Sequence, residues 1–387
     1  MKKVNILIMI TIVLLIGVIS IPVVAADKLP VVIGLQGPIT GAYAIEGEMA
    51  KQCVEIAASL INEKGGILDG RMIEIRVVDD ACQPKAGALA AMKLISQKDV
   101  VAAIQTYGSS VTQPGADLYE KFKKINMAYG AGIVELTRKG YKYFFRMCSS
   151  VDKQGNFFAN KVVPLFNAKK IAIMHDNQSF SAGLAEYTKI GLQSKIDAGE
   201  VEIVYYDAIN PGESDFAVPL TKLRETNPDI IYFTGYFPEA ALVVRQARNI
   251  GITCPFIGGD SAINSEFIKI AGLEMAKGCF MTQEPMPSEL SYSKSKMFLE
   301  AYQAKYGEIP SSPWAVYAGD SLNVIAYAID ETGSTDSDVL VDYLKNKMNN
   351  FNGVTGPIGF DERGDRTGTL HTLYVVNDKG ELEIYNP

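Results

Sequence analysis

Residues 31–78 read VVIGLQGPITGAYAIEGEMAKQCVEIAASLINEKGGILDGRMIEIRVV. Two apolar runs of strand length, Val31–Leu35 and Ile73–Val78, bracket a longer stretch, Gly47–Lys64. Within it Val54, Ala57, Ala58 and Ile61 recur at i, i+3, i+4 and i+7. That spacing places four apolar side chains on one face of an α-helix. Gly65-Gly66 ends the helix, as glycine accepts the left-handed conformation that helix C-termini adopt. Strand, amphipathic helix and strand in this order make a parallel βαβ unit with a helix lying across a sheet.

The same alternation runs outward from this stretch. Further strands are expected at Val101–Thr106 and Asn126–Tyr129, with helices at Lys85–Gln97 and Gln113–Phe122. It then starts afresh. Strands at Lys170–Met174, Glu202–Tyr206, Ile230–Thr234, Phe256–Ile257 and Gly278–Met281 alternate with helices at Ala182–Lys195, Phe216–Thr226, Glu239–Ile250 and Ser265–Ala271. The expected fold class is α/β, with two consecutive doubly wound, Rossmann-like sheets and Tyr143–Cys148 as an extended crossover between them. Helices follow at Ser291–Tyr306, Trp314–Thr332 and Asp338–Asn346, and the sequence becomes β-rich from Ile358. Open sheets of this kind bind ligands beyond the carboxyl ends of their strands, so function belongs in the loops that lead into helices.

The N-terminus indicates the compartment. Lys2 and Lys3 precede an apolar run, Val4–Val24, then small residues at Ala25-Ala26 and polar Asp27-Lys28. This is the order of a secretory signal, residues 1–26, cleaved after Ala26. Left uncleaved, the run is long enough to span a bilayer. No cysteine follows it to receive a lipid. Over 387 residues the net charge is −7 without clustered Lys or Arg, which argues against nucleic acid and anionic lipid as partners. The five cysteines, Cys53, Cys82, Cys148, Cys254 and Cys279, have no metal-binding spacing. In an oxidising compartment the strand layout suggests Cys53–Cys82 and Cys254–Cys279 disulfides, leaving Cys148 as a free buried thiol. Cysteine count alone does not choose the pairing.

Catalytic signatures are scarce. Neither GxSxG nor GxxxxGK[ST] occurs, and the only two histidines, His175 and His371, have no nucleophile motif beside them. Gly130-Ala131-Gly132 follows a strand, but Glu135 stands where a dinucleotide fingerprint needs its third glycine. The acidic turn Asp361, Glu362 and Asp365 lacks the alternating spacing of a Ca²⁺ loop. No enzymatic activity, cofactor or metal is expected.

Short motifs, in order, carry a resemblance. They are Gly37-Pro38-Ile39-Thr40-Gly41, Ile61-Asn62-Glu63-Lys64-Gly65-Gly66, Asp79-Asp80-Ala81-Cys82, Ser109-Ser110-Val111-Thr112-Gln113-Pro114, Glu135-Leu136-Thr137-Arg138-Lys139-Gly140-Tyr141, Gly235-Tyr236-Phe237-Pro238-Glu239 and Arg245-Gln246-Ala247-Arg248. Together they resemble the type I periplasmic binding proteins of ABC importers, particularly the branched-chain amino acid (leucine/isoleucine/valine) binding proteins. The resemblance implies two lobes, 27–146 plus 281–356 and 147–280 plus 357–387, joined by a hinge of three crossovers. It further implies a periplasmic or extracytoplasmic monomer that closes on a small molecule and docks on a membrane permease.

The resemblance also marks site residues. Ser109, with Ser110 beside it at a strand-to-helix junction, matches the serine that binds the ligand carboxylate, and a helix N-terminus favours an anion there. Ala131 and Ile133 match the segment whose backbone holds carboxylate and ammonium. Phe180 matches a pocket-wall aromatic, and Tyr236 a residue closing over the ligand. Asp260 matches the acid that meets the ammonium. There are departures. Ile133 replaces a threonine, Glu46 stands at an aromatic wall position, and Gly108 replaces a cysteine, which makes Cys53 the candidate partner for Cys82. The expected ligand is a branched-chain or other hydrophobic amino acid. Alternatives are a non-amino-acid aromatic carboxylate and an extracellular sensor lobe using the same clamp.

Overall fold

The computed structural model describes residues 28–368 and 371–386. The expected signal segment 1–26 lies outside the described residues. Helix Ala44–Asn62 buries Ala50, Cys53, Val54 and Ala57 and packs along helix Pro313–Thr332. Its first turn sits tightly under the preceding loop: a Cβ at Gly47 would stand 2.1 Å from the Pro38 carbonyl oxygen. Only glycine admits that approach. Residues 38–43 are thereby held over the end of the first strand.

Strands β1 (Val31–Gly37), β2 (Ile73–Asp79), β3 (Val100–Gln105), β4 (Asn126–Ala128) and β5 (Phe144–Arg146) form one sheet in the order β2-β1-β3-β4-β5, parallel throughout. Strands β6 (Lys170–His175), β7 (Glu202–Ala208), β8 (Ile230–Phe233), β9 (Phe256–Gly258) and β10 (Phe280–Gln283) repeat it as β7-β6-β8-β9-β10. A small hairpin, β11 (Phe351–Gly353) and β12 (Gly356–Ile358), packs on the first half beside helix Pro313–Thr332. Strands β13 (Thr372–Val376) and β14 (Leu382–Ile384) then return to the second sheet and pair antiparallel with β10 and with each other. The central parallel strands are buried on both faces, which explains their unbroken apolar runs. The chain therefore has the type I periplasmic binding protein architecture of two α/β lobes joined by three crossovers.

Several elements differ from the sequence expectation. Tyr143–Cys148 is not wholly a crossover, because Phe144–Arg146 pairs with β4 as the fifth strand of the first sheet. The expected boundaries after residues 280 and 356 both fall inside paired strands, β10 and β12. The helix expected from Gln113 begins at Ser109, with Pro114 inside it. Helical residues from Val151 to Leu165, with a wider π turn at Phe158–Val162, match no predicted element.

Candidate functional site

In a sheet ordered 2-1-3-4-5, the connections from strands 1 and 3 leave in opposite directions and open a crevice at their carboxyl ends. Each half of this chain has one such crevice, and the two face each other. After β1 comes the loop carrying Tyr43, and after β3 the segment Thr106–Gly108 followed by Ser109. After β6 come Asp176–Gln178, and after β8 Thr234–Tyr236. Both loop pairs are buried: Tyr43 is 7 % exposed, Tyr107 2 %, Asp176 0 % and Tyr236 3 %.

On the first face, Ser109 is the first residue of its helix and Gly108 occupies the N-cap position. The Ser109 hydroxyl accepts a hydrogen bond from the Ile133 backbone N–H at 3.3 Å. It thus lies between a helix N-terminus and the segment 131–133. Ser110 is half-buried beside it. The carbonyls of Ala131 and Ile133 face Arg146, whose Nη1 donates to them at 3.3 and 2.6 Å. Arg146 is wholly buried on β5 and pairs with Asp365, and its Nη2 donates to the Thr137 hydroxyl at 3.1 Å. One guanidinium therefore braces the first face and ties it to a crossover. The Ile133 side chain faces the other half, since a Cβ at Gly183 would lie 3.6 Å from it.

On the second face, Asp260 follows β9 and is 6 % exposed. Its carboxylate accepts from the Ser261 hydroxyl at 3.2 Å, and its backbone carbonyl from Gln283 Nε2 at 2.7 Å. It caps no helix. Asn264 does so for Ser265–Ala271, accepting from the Glu266 and Phe267 N–H groups. Burial pushes the Asp260 carboxyl well above the carboxylate range, and the Glu284 charge adds to this. Asp176 accepts from the Gln178 and Tyr236 backbone N–H groups at 3.0 and 3.2 Å, so it fixes both loops of the second crevice.

Aromatic rings bridge the faces. The Tyr43 ring centroid lies 5.1 Å from Tyr236 and 6.1 Å from Tyr107, and Tyr107 lies 5.8 Å from Tyr236. Phe180 stands 5.4 Å from Tyr236 and against Gly132. Gln178 Nε2 donates to the Tyr43 hydroxyl at 3.1 Å. Glu46 joins the two halves as well, and does not point to solvent. Its Oε1 accepts from Asn264 Nδ2 at 3.1 Å and its Oε2 from the Ser312 hydroxyl at 2.6 Å. Glu46 is 3 % exposed, and burial raises its pKa against the pull of those two bonds. These contacts define a closed cleft.

All the predicted site residues except Ser110 are thus buried at or beside the cleft. Tyr43, Tyr107, Gln178, Asn264 and Ser312 were not foreseen; the first four lie in the loops after β1, β3, β6 and β9, which is the signal that could have found them, whereas Ser312 stands just before helix Pro313–Thr332 and follows no strand. The disulfide expectations are corrected: all five cysteines are free thiols. Cys53 packs beside Gly319 and Asp320 of helix Pro313–Thr332, whereas Cys82 lies against Gly108, where a Cβ would stand 2.7 Å from its sulfur. The Cys279 thiol donates to the Met275 carbonyl at 3.5 Å, and is not bonded to Cys254. Asp365, in the acidic turn noted in the sequence, pairs with buried Arg146. Among the described residues no group of His, Cys, Asp and Glu could hold a metal, and no helix is long and apolar enough to cross a membrane.

Two α/β lobes whose switch-point loops meet face to face have the form of a ligand clamp. The comparisons identify its kind. The profile of the periplasmic binding protein family matches residues 30–381, and the chain belongs to that family. It is 32% identical over 351 residues to a leucine-, isoleucine-, valine-, threonine- and alanine-binding protein of Pseudomonas aeruginosa, covering 90% of each chain. It is also 32% identical over 338 residues to the Leu/Ile/Val-binding protein of Escherichia coli, covering 87% of this chain and 88% of that one. Among solved structures, a branched-chain amino acid transporter substrate-binding protein of Streptococcus pneumoniae in complex with isoleucine superimposes with a TM-score of 0.81. It shares 30% identity, over 92% of this chain and 100% of that one.

Proposed function

We propose that this chain is an extracytoplasmic solute-binding protein that captures an α-amino acid of the branched-chain or hydrophobic kind and presents it to the permease of an ABC importer. One observation carries the reading. The first face buries a helix N-terminus with a hydroxyl, at Ser109, and the second buries an acid, Asp260, that has no basic partner among the described residues. Buried charge is costly when unpaired. A zwitterion resolves both ends at once, its carboxylate at Ser109 and the Ile133 backbone, its ammonium at Asp260. Phe180 and Tyr236 cover it, and Ala131 sits behind the carboxylate. The relatives named above support the amino acid class and the import role.

In this reading residues 1–26 are a signal segment that directs export, and the mature chain acts as a monomer without catalysis or cofactor. The first lobe comprises 27–146 with 284–358 and the second 147–283 with 359–387, boundaries chosen so that no paired strand is cut. The test is a thermal-shift and calorimetric screen of amino acids against simple and aromatic carboxylates, using protein freed of bound ligand. A ligand that binds only the folded state raises the melting temperature. Amino acids are expected to do so. If only benzoate-like acids raise it, the ammonium assignment is wrong.

A further inference from the structure

The first lobe carries a second concavity, remote from the cleft. Helix Ala44–Asn62 starts beside the cleft, and Leu60 lies about 20 Å along its axis from Glu46, at the usual helical rise per residue. There the last turns of helices Ala44–Asn62 and Pro313–Thr332, the start of helix Ser293–Tyr306 and strand β11 enclose an open-sided cavity of about 210 Å³. Leu60, Ile61, Phe298, Tyr327, Phe351 and Val354 give it apolar walls. Met297 and Tyr327, 42 % and 37 % exposed, leave apolar surface uncovered at its sides.

Two cations stand on this apolar surface. Lys64 and Lys294 both line the cavity, and neither makes an ion pair or a hydrogen bond among the described residues. Lys294 is half-buried, and its ammonium lies 4.3 Å from the centre of the Phe351 ring. Burial lowers its pKa; Asp320 opposes this and the charge of Lys64 adds to it. The two acids nearby hold other donors. Asp330, on the wall, accepts from the Leu68 N–H at 3.0 Å, and Asp320 accepts from the Val354 and Thr355 N–H groups and the Thr355 hydroxyl. An anion between the lysines would relieve their mutual repulsion and give each a charge-assisted partner. The walls beside it would cover a hydrocarbon body.

We infer that this cavity is a second ligand site, independent of the cleft, for a small amphipathic monocarboxylate whose head sits between Lys64 and Lys294 and whose alkyl body lies on Leu60, Tyr327 and Phe351. The lysines select the charge and the walls select the body. A free amino acid suits it poorly, because its ammonium would meet two like charges. Inorganic phosphate or sulfate suits it poorly as well, because neither covers the walls.

The experiment is titration calorimetry of the full mature chain with octanoate, octan-1-ol and octylammonium, which share one hydrocarbon and differ in the charge of the head. Octanoate is expected to bind about tenfold or more tightly than octan-1-ol, the size of a charged hydrogen bond, and octylammonium more weakly still. Joint replacement Lys64→Gln and Lys294→Gln should remove that margin and leave amino acid binding unchanged. Ser109→Ala, in the cleft, should leave octanoate binding unchanged. Equal affinity for octanoate and either of the other heads overturns the inference, as does octanoate binding that survives intact in the folded double variant. Octanoate binding that falls in Ser109→Ala assigns the acid to the cleft and overturns the second site. Absence of octanoate binding overturns it too, and none of these outcomes touches the amino acid reading.

Discussion

The two lobes share a strand order and differ in what they hold over its switch point. The first offers neutral donors, a helix N-terminus and the Ser109 hydroxyl, the latter positioned by the Ile133 backbone N–H and braced from behind by Arg146. The second offers acids, Asp176 as an internal clasp for its own loops and Asp260 turned toward the cleft. One topology thus supplies two surfaces of opposite preference. On the proposed function, closing them on each other would orient a molecule with a negative and a positive end, its polarity set by a handful of loop residues. Glu46 breaks the pattern by placing an acid on the donor-rich lobe.

The largest effect should come from removing the brace. Arg146→Met leaves Asp365 partly buried without its partner and frees the carbonyls of Ala131 and Ile133. Breaking a buried pair by deleting one member costs about 3–5 kcal/mol. Urea unfolding should show a loss of that order, and a change below about 1 kcal/mol would mean that the first face does not depend on its brace.

Asp260→Asn tests the opposite surface. Amino acid affinity should fall about a hundredfold or more, consistent with losing one partner of a buried charge pair, whereas binding of a simple carboxylate should change little. Equal losses for both would remove the ammonium role. The same residue gives a pH signature. Its carboxyl is raised above its ordinary value of 3.8, so the folded, ligand-free protein holds a proton that the unfolded chain releases. The stability this contributes is complete below 3.8 and is lost as pH rises through the folded value. Melting curves from acid to neutral pH should therefore show wild type losing stability relative to Asp260→Asn. Amino acid binding should release protons, measurable as a buffer-dependent heat. A constant difference between the two proteins would remove the linkage.

Ser109→Ala should have the smallest effect. It deletes one hydroxyl but leaves the helix N-terminus and the backbone donors, so affinity should drop about tenfold for amino acids and simple carboxylates alike. A loss confined to amino acids would move Ser109 from the carboxylate to the other end of the ligand.

Much of this was legible in the residues. The apolar runs and helical spacing gave the long strands and helices, because the central strands are buried on both faces and the helices on one, but missed β5, β11 and the helical segment from Val151 to Leu165. Ser109 and Asp260 were marked as candidates because each lies in the segment after a strand, and the structure buries both at the cleft. What was hidden depends on contacts between distant segments. Tyr43 and Tyr107 look like ordinary loop aromatics until closure packs them against Tyr236. Glu46 looks like a surface acid at a helix start until Asn264 and Ser312 arrive from far along the chain. Pro114 concealed the true start of its helix, since proline in a helix interior lacks the N–H that the i−4 carbonyl expects. The cysteine pairings failed because sequence gives the strand edge a residue lies near, whereas helix rotation decides which way Cys53 points.

The antiparallel return of β13 and β14 bears on the order in which the protein can be made. β10 closes the parallel part of the second sheet, but its open edge is covered only by Thr372–Val376, far later in the chain. Until those residues emerge, the second lobe keeps a bare strand edge, of the kind that pairs readily with other chains. Contacts so distant in sequence form slowly. The lobe that supplies Asp260 is therefore the last to be completed, and a nascent chain spends most of its synthesis unable to close its clamp.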